Sequence, residues 1–462
     1  MYKKVVSLVF VWVLLVFALV GKGGNFKAFG LSGVNVDYEN EGERPKAFIG
    51  DIPNSITSNS WPMFRHDLRH SGYSTSKAPN SNSSAWRLQT GGIVHSSPAI
   101  VDGTVFVGSG SGKVYALNER TGKLIWSFQT ASAVWSSPAV SDGKVFVGSD
   151  DRNVYALDAA TGTKIWSYTT GGNARSSPAV ASGVVFIGSY SPDIKIYALN
   201  ASTGALVWSY TTGNYSYSSP AVADGVVFIG SDDNKVYAFN ASTGALVWSF
   251  TTGAQVYSSP SVADGKVYVG SLDDNVYCLN ALTGAKIWNY ITGGKVYSSP
   301  AVADGKVYVG SYDRRAYCLD ASTGAHVWNY TTGHEVYSSP AVADGKVFIG
   351  SHEGKVYGLN ATTGALVWSF ITGAQVYSSP AVADGVVFVG SNDGKVYAFG
   401  LPGLTPPSTF PNIFTYVTVG VIVFIIAMAI VVYFLRAKRH AARRRGYKKR
   451  ALMKHKVFGS TL

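Results

Sequence analysis

In the stretch VYSSPAVADGKVYVGSLDDNVYCLNALTGAKIWNYITG (256–293), the apolar positions fall into four short runs rich in Val, Tyr, Ile and Trp. Turn residues separate the runs: Asp-Gly, then an Asp/Asn cluster, then Thr-Gly, then a Gly-containing link. Asp-Gly between β-branched runs is a strong hairpin signal, because both central residues of a type I′ turn need positive φ. Each such unit therefore predicts a four-stranded antiparallel meander, with strands A to D.

The unit recurs. Ser-Ser-Pro begins at residues 96, 136, 176, 218, 258, 298, 338 and 378, a spacing of 40 broken once by a two-residue insertion near Ser191–Ile194. Four-stranded units of this length, repeated up to eight times, close radially into a propeller. A Trp marks the D strand at 126, 166, 208, 248, 288, 328 and 368, and an eighth, Trp86, precedes the first A strand. The last unit, from Ser378 to Gly400, carries A, B and C strands only. Trp86–Gly91 is expected to supply its missing D strand and fasten the ring. The expected fold is all-β, an eight-bladed β-propeller over 86–400, with a C-terminal transmembrane α-helix.

Composition agrees: 51 glycines in 462 residues, 13% aromatic and only 14% charged describe strands and tight turns. An apolar fraction of 46% excludes disorder as the main state. Two cysteines exclude a disulfide-stapled scaffold and a multi-cysteine zinc site. The net charge of +12 is local, since 11 Lys/Arg and no acid fall within 436–462 and 12 less 11 leaves +1 for the rest. The body of the chain offers no nucleic-acid face.

Two apolar segments bracket the repeats. Residues 5–20 follow Lys3 and Lys4 in the manner of a secretory signal, so 1–22 are expected to act as a signal peptide or signal anchor. Residues 413–435 carry no charge and are long enough for a transmembrane helix. The basic run 436–462 behind them predicts a cytoplasmic tail beside anionic lipid. The propeller is then expected outside the cell, tethered by a single pass through the cell membrane. Between these parts lie a polar leader (23–60), a lead-in to the propeller (61–85) and a stalk, LPGLTPPSTFPN (401–412), stiffened by four prolines.

An eleven-residue pattern recurs within the units: ALNERTGKLIW (116–126), ALDAATGTKIW (156–166), ALNASTGALVW (198–208, 238–248), CLNALTGAKIW (278–288), CLDASTGAHVW (318–328) and GLNATTGALVW (358–368). It resembles the tryptophan-docking motif of the pyrroloquinoline quinone (PQQ) repeat family, A-x-D/N-x-x-T-G-x-x-x-W. In style the chain is most like the family's non-catalytic outer-membrane-assembly propellers. Physically, the Gly of Thr-Gly supplies a positive φ and the Asn or Asp bonds its own turn. Each Trp is expected to wedge between blades and bury about 200 Å², an upper bound near 5 kcal/mol at about 25 cal/mol/Å². That role is expected of Trp86, Trp126, Trp166, Trp208, Trp248, Trp288, Trp328 and Trp368. Cys278 and Cys318 occupy the motif's first position, where a small buried side chain belongs.

Antiparallel connectivity puts the A–B and C–D turns on one face, nearly uniform between units, and the B–C loops and D–A links on the other, which varies. Loops on a rigid frame carry function, so the variable face is the candidate binding surface. The residue before each Ser-Ser-Pro opens the innermost strand there: His95, Trp135, Arg175, Tyr217, Tyr257, Tyr297, Tyr337 and Tyr377. These eight are the candidate ligand-binding residues; packing between blades is the competing reading. Arg314, Arg315, His334, Glu335, His352 and Glu353 add charge on that face. The Asp pairs 150–151, 232–233 and 273–274 suit either Asx turns or calcium, and no metal site is expected. Asn82, Asn200, Asn214, Asn240, Asn329 and Asn360 stand in glycosylation sequons, consistent with export.

The acidic residues of the propeller sit mostly at repeated turn positions, so no carboxylate is expected to serve as a general base. Nor is there a nucleophile elbow, a His-Glu-x-x-His or a phosphate loop. The resemblance implies an alternative, a quinoprotein dehydrogenase using PQQ with calcium, whose enzymes carry a vicinal cysteine pair, a Glu/Asn/Asp calcium shell and an Asp base. This chain has no Cys-Cys and no long inter-blade insertion. The expectation is a non-catalytic module, without a cofactor, that binds an extracellular protein or glycan.

Overall fold

The structure is a computed structural model that describes residues 60–400. The signal segment, stalk, transmembrane segment and basic tail expected from the sequence lie outside these residues. Among the described residues no helix is long and apolar enough to cross a membrane.

The repeats fold into eight four-stranded antiparallel sheets. Blade 1 consists of Ala99–Val101, Thr104–Gly108, Lys113–Asn118 and Leu124–Gln129. The A–B turn that joins its first two strands has Asp102 at φ 49° and Gly103 at φ 72°, the positive pair that the Asp-Gly signal requires. In blade 8, strand Ser84–Gln89 pairs with Lys395–Phe399, so the first long strand of the chain supplies the last D strand and closes the circle.

Burial follows the alternation. Strands B and C are almost wholly buried, whereas each D strand buries its Trp and exposes its neighbours. The Trp-to-Gly docking is direct. Trp86 donates its indole N–H to the Glu119 carbonyl of blade 1 at 2.7 Å, and a methyl group on Gly122 would lie 2.6 Å from that indole. Gly122 is needed twice over, for its φ of 65° and for the ring above it. Cys278 and Cys318 are fully buried in the same layer, paired across strands with Trp288 and Trp328.

Ser-Ser-Pro also has a structural reason. The second Ser of every blade accepts a hydrogen bond from the backbone N–H of the second Ser one blade back, at 2.8–3.0 Å, from Ser97 through Ser379 and back to Ser97. Eight hydroxyls thus form an unbroken circle about the axis. The first Ser serves its own blade, as where Ser258 accepts from the Gly270 N–H at 2.9 Å.

The lead-in segment does more than precede the propeller. Trp61 pairs with Ile100 of blade 1. The carbonyls of Pro62, Leu68, Arg69, Ser71 and Gly72 then accept from Val140, Val222, Val262, Val302 and Val342, the middle residues of the A strands of blades 2, 4, 5, 6 and 7. Tyr73–Ser74 adds a parallel fifth strand to blade 7, and Ser76 Oγ accepts from Gly385 of blade 8 at 3.1 Å. Inside this coil, Arg65 is fully buried and donates to the carbonyls of Pro300, at 2.6 Å, and Pro340. Burial pulls its guanidinium down to about 9, so it remains a cation at neutral pH. The coil and Arg65 plug the axis beneath the serine circle.

Candidate ligand site at the variable mouth

The eight residues preceding Ser-Ser-Pro come together as one continuous ring, every member half-buried. His95 contacts Trp135 and Tyr377 with ring centroids 4.8 and 4.6 Å apart. Tyr217, Tyr257, Tyr297, Tyr337 and Tyr377 follow in sequence at 4.4–5.5 Å. The gap between Trp135 and Tyr217 is closed by charge. Asp150 accepts from the Trp135 indole at 2.9 Å and takes Arg175 in a bidentate pair at 2.8 Å, while Arg175 Nη1 lies 3.4 Å from the Tyr217 hydroxyl. That carboxylate holds the Arg175 guanidinium above its ordinary value.

A second tier stands over the ring, built from the first residue of each B–C loop. Gly110 packs against Trp135, whose indole would be 2.8 Å from a methyl group there. Tyr190 packs at a tilt against Tyr217 at 4.4 Å and sits 5.1 Å from the Arg175 guanidinium. Tyr312 edges Tyr337, and His352 stacks on Tyr337 at 4.6 Å. Asp150 and Asp232 belong to this tier as well.

Two of the three Asp pairs, 150–151 and 232–233, thus divide. The second loop position is structural: Asp151, Asp233, Asp273 and Glu353 each accept from a Tyr hydroxyl of the C strand and a backbone N–H of the D–A link. The first position faces the ring. Asp151, Asp233 and Asp273 also accept from the backbone N–H two residues on, the turn bond expected of them, whereas Asp150 and Asp232 face the ring. Asp232 Oδ1 is buried without a hydrogen-bond partner, and burial pushes its carboxyl up to about 6. His95 is pushed down to about 4 by burial.

Seven buried side-chain polar atoms among the described residues lack a hydrogen-bond partner. Four of them, on His95, Asp232, His352 and Asn392, sit at this mouth, although buried polar groups ordinarily find partners. The sequence reading found the ring through its one variable column; the second tier was visible in the same way, as the variable residue after each Gly-Ser.

Other candidates lie elsewhere. Arg314 and Arg315 are exposed on the rim. Asn200, Asn240 and Asn360 use Oδ1 to accept from their own Thr turns, Asn214 Oδ1 accepts from Tyr215, Asn82 donates to the Ser369 carbonyl, and Asn329 meets His326.

The donor set does not fit the quinone and calcium pair that the family's enzymes use. Both thiols are buried between blades and pushed up to about 12 by burial, Asp150 is already committed to Arg175, and the three-donor cluster at the mouth contains two imidazoles, which suit transition metals rather than calcium.

These features define a β-propeller fastened by its own first strand, with a polar and aromatic mouth above a plugged axis. Comparisons place it further. A family model described as outer membrane protein assembly factor BamB matches residues 75–219, and one described as the β-propeller of beta-alanine-activating enzyme matches 223–406. Among solved structures, BamB from Moraxella catarrhalis is similar over 69% of this chain and 99% of its own, at 19% identity and a TM-score of 0.61. A europium-containing methanol dehydrogenase is similar over 75% and 98%, at 15% identity and 0.65. A quinohemoprotein alcohol dehydrogenase from Pseudomonas putida is similar over 78% and 85%, at 17% identity and 0.65. No curated protein sequence matches the chain. Both family models are of propellers, and with the solved structures they support a PQQ-repeat type of β-propeller fold for residues 75–400.

Proposed function

We propose that this protein is a membrane-tethered extracytoplasmic propeller that binds a protein segment or glycan in its mouth and does no chemistry on it. One observation carries the reading: four unpartnered buried polar atoms gather on an aromatic ring. Aromatic faces supply contact area at low entropic cost, and a few fixed polar groups supply orientation. The likeness to BamB supports a binding scaffold, and the uncommitted donors do not form the quinone site of the dehydrogenases. Because the lead-in plugs the far end, a ligand enters and leaves on one face, end-on, as a terminus or a branch.

The test uses full-length protein in detergent, wild type and Trp135→Ala, applied to a glycan and peptide array and titrated with PQQ with and without calcium. Capture that is lost in Trp135→Ala supports the proposal. Stoichiometric, calcium-dependent PQQ binding would overturn it in favour of a dehydrogenase.

A further inference from the structure

At three variable positions that meet in space, blade 7 carries a set of side chains of its own. Where blade 6 has Gly294, Lys295 and Tyr312, blade 7 has His334, Glu335 and His352. The first two stand on the D–A link and the third opens the B–C loop. One donor atom from each lies within 4.8 Å of the others, and no other three such side chains come this close among the described residues. His334 Nδ1 contacts Glu335 Oε2, and His352 Nδ1 lies 3.6 Å from the same oxygen.

The frame beneath them is rigid. The His352 N–H donates to the Glu335 carbonyl at 2.9 Å, and the Thr332 and Ser351 hydroxyls both donate to the His334 carbonyl. Tyr337 stacks on one face of the His352 ring at an interplanar angle of 21°, with Tyr377 edge-on at 4.5 Å, so the imidazole is held in place. Yet nothing satisfies it: Nδ1 is beyond hydrogen-bond reach of Glu335, and Nε2 is buried with no partner. Its Nδ1 thus faces a carboxylate and a second imidazole without a hydrogen bond, a free donor held toward the cluster.

We propose that His334, Glu335 and His352 bind one divalent transition-metal ion at the mouth of the channel. Two imidazoles and a carboxylate suit zinc and its neighbours, and three protein ligands leave a fourth position open. Zinc bonds of about 2.0–2.2 Å require donors within roughly 4 Å of one another, a closure that rotation of His334, with its side chain 52% exposed, supplies. The site touches the ring directly, where His352 meets Tyr337 and Tyr377, and its open position gives a carboxylate or hydroxyl of an incoming ligand something to bind. The metal proposal holds whichever ligand the mouth takes.

The experiment uses full-length protein in detergent, stripped with a chelator, with zinc titrated against a chromophoric competitor and cobalt read by its visible absorption. One zinc per chain is expected, with cobalt bands of a four- or five-coordinate site and no displacement by excess calcium. His334→Ala, on an exposed side chain, and Glu335→Gln should each weaken zinc at least as much as the ~10–100-fold that loss of an outer-shell partner costs, with the melting temperature of the metal-free protein unchanged. Absence of stoichiometric zinc, or equal zinc affinity in wild type and both variants, would overturn the proposal, as would displacement by calcium. A failure here leaves the array result for Trp135→Ala untouched.

Discussion

The indole N–H of Trp368 donates to the carbonyl of Pro79 at 3.1 Å, across 289 residues of sequence. The other seven docking tryptophans reach a C–D turn of the next blade, but blade 8 has no such turn because the chain leaves it after strand C. Pro79, at the end of the lead-in, takes the turn's place. The circle is therefore closed twice, once by strand Ser84–Gln89 and once by this carbonyl, and both closures draw on the N-terminal side of the propeller. Non-local ties of this kind restrain the ends of a repeat array, where fraying begins.

The Trp-to-Gly contact has a thermodynamic signature. Trp248→Ala should cost about 3–5 kcal/mol, as large core truncations do. Gly284→Ala should also be strongly destabilising, because its Cβ would sit 2.7 Å from the Trp248 ring at a φ of 72°. Gly265→Ala, at a similar φ of 68° with nothing within 4 Å, carries only the backbone cost of about 1–2 kcal/mol. In the Trp248→Ala background the cost of Gly284→Ala should fall toward that of Gly265→Ala. Chemical unfolding of the four variants measures the coupling, and additive effects would show that the indole is not what requires the glycine.

The architecture was legible because its instructions are local and repeated. Asp102-Gly103 and its seven equivalents fix hairpins through φ alone, and the orphan Trp86 announced the closing strand. What was not legible depends on direction. Asp150 and Asp151 are the same residue type at adjacent positions, yet one turns toward the ring and the other toward Tyr155, and only the pleat and the loop geometry decide between them. The lead-in was recognisable but its role was not, since it binds through backbone carbonyls that carry no side-chain signature. The His334, Glu335 and His352 cluster was seen only as separate charges, because its members come from two segments joined by the fold.

The serine circle should behave as a set of buried hydrogen bonds. Ser259→Ala removes the acceptor of the Ser219 N–H and leaves that donor buried and unpaired, at a cost of about 1–3 kcal/mol. Ser259→Thr keeps the hydroxyl and should recover part of the loss. Thermal unfolding distinguishes this from simple cavity formation, which would not be rescued by restoring the oxygen.

Glu119 stands where the neighbouring blades have Ala159 and Ala201, and its Oε1 is buried without a partner. Burial, with Asp384 adding to it, pushes its carboxyl from 4.5 up to about 7. A raised carboxylate value means that the folded state prefers the protonated form, so the penalty is absent below about 4.5, grows as pH rises, and is complete above about 7. Glu119→Ala keeps the carbonyl that receives the Trp86 indole and should raise the melting temperature at pH 8 while changing it little at pH 4. Equal shifts at both values would trace the gain to side-chain packing instead of ionisation.

At the mouth the same physics bears on binding. Asp232 is pushed up to about 6 by burial, with Oδ1 unpartnered, so it is mostly ionised at pH 7.5 and mostly protonated at pH 5. A ligand that donates a hydrogen bond to this carboxylate should bind more tightly at pH 7.5 than at pH 5, and binding should raise stability most at the higher pH. Asp232→Asn removes that acceptor charge, should stabilise the free protein above pH 6, and should flatten the pH dependence of affinity over this window. Affinity measured at the two pH values for both proteins decides the matter. A pH dependence that survives in Asp232→Asn would show that a different residue of the mouth carries the titration.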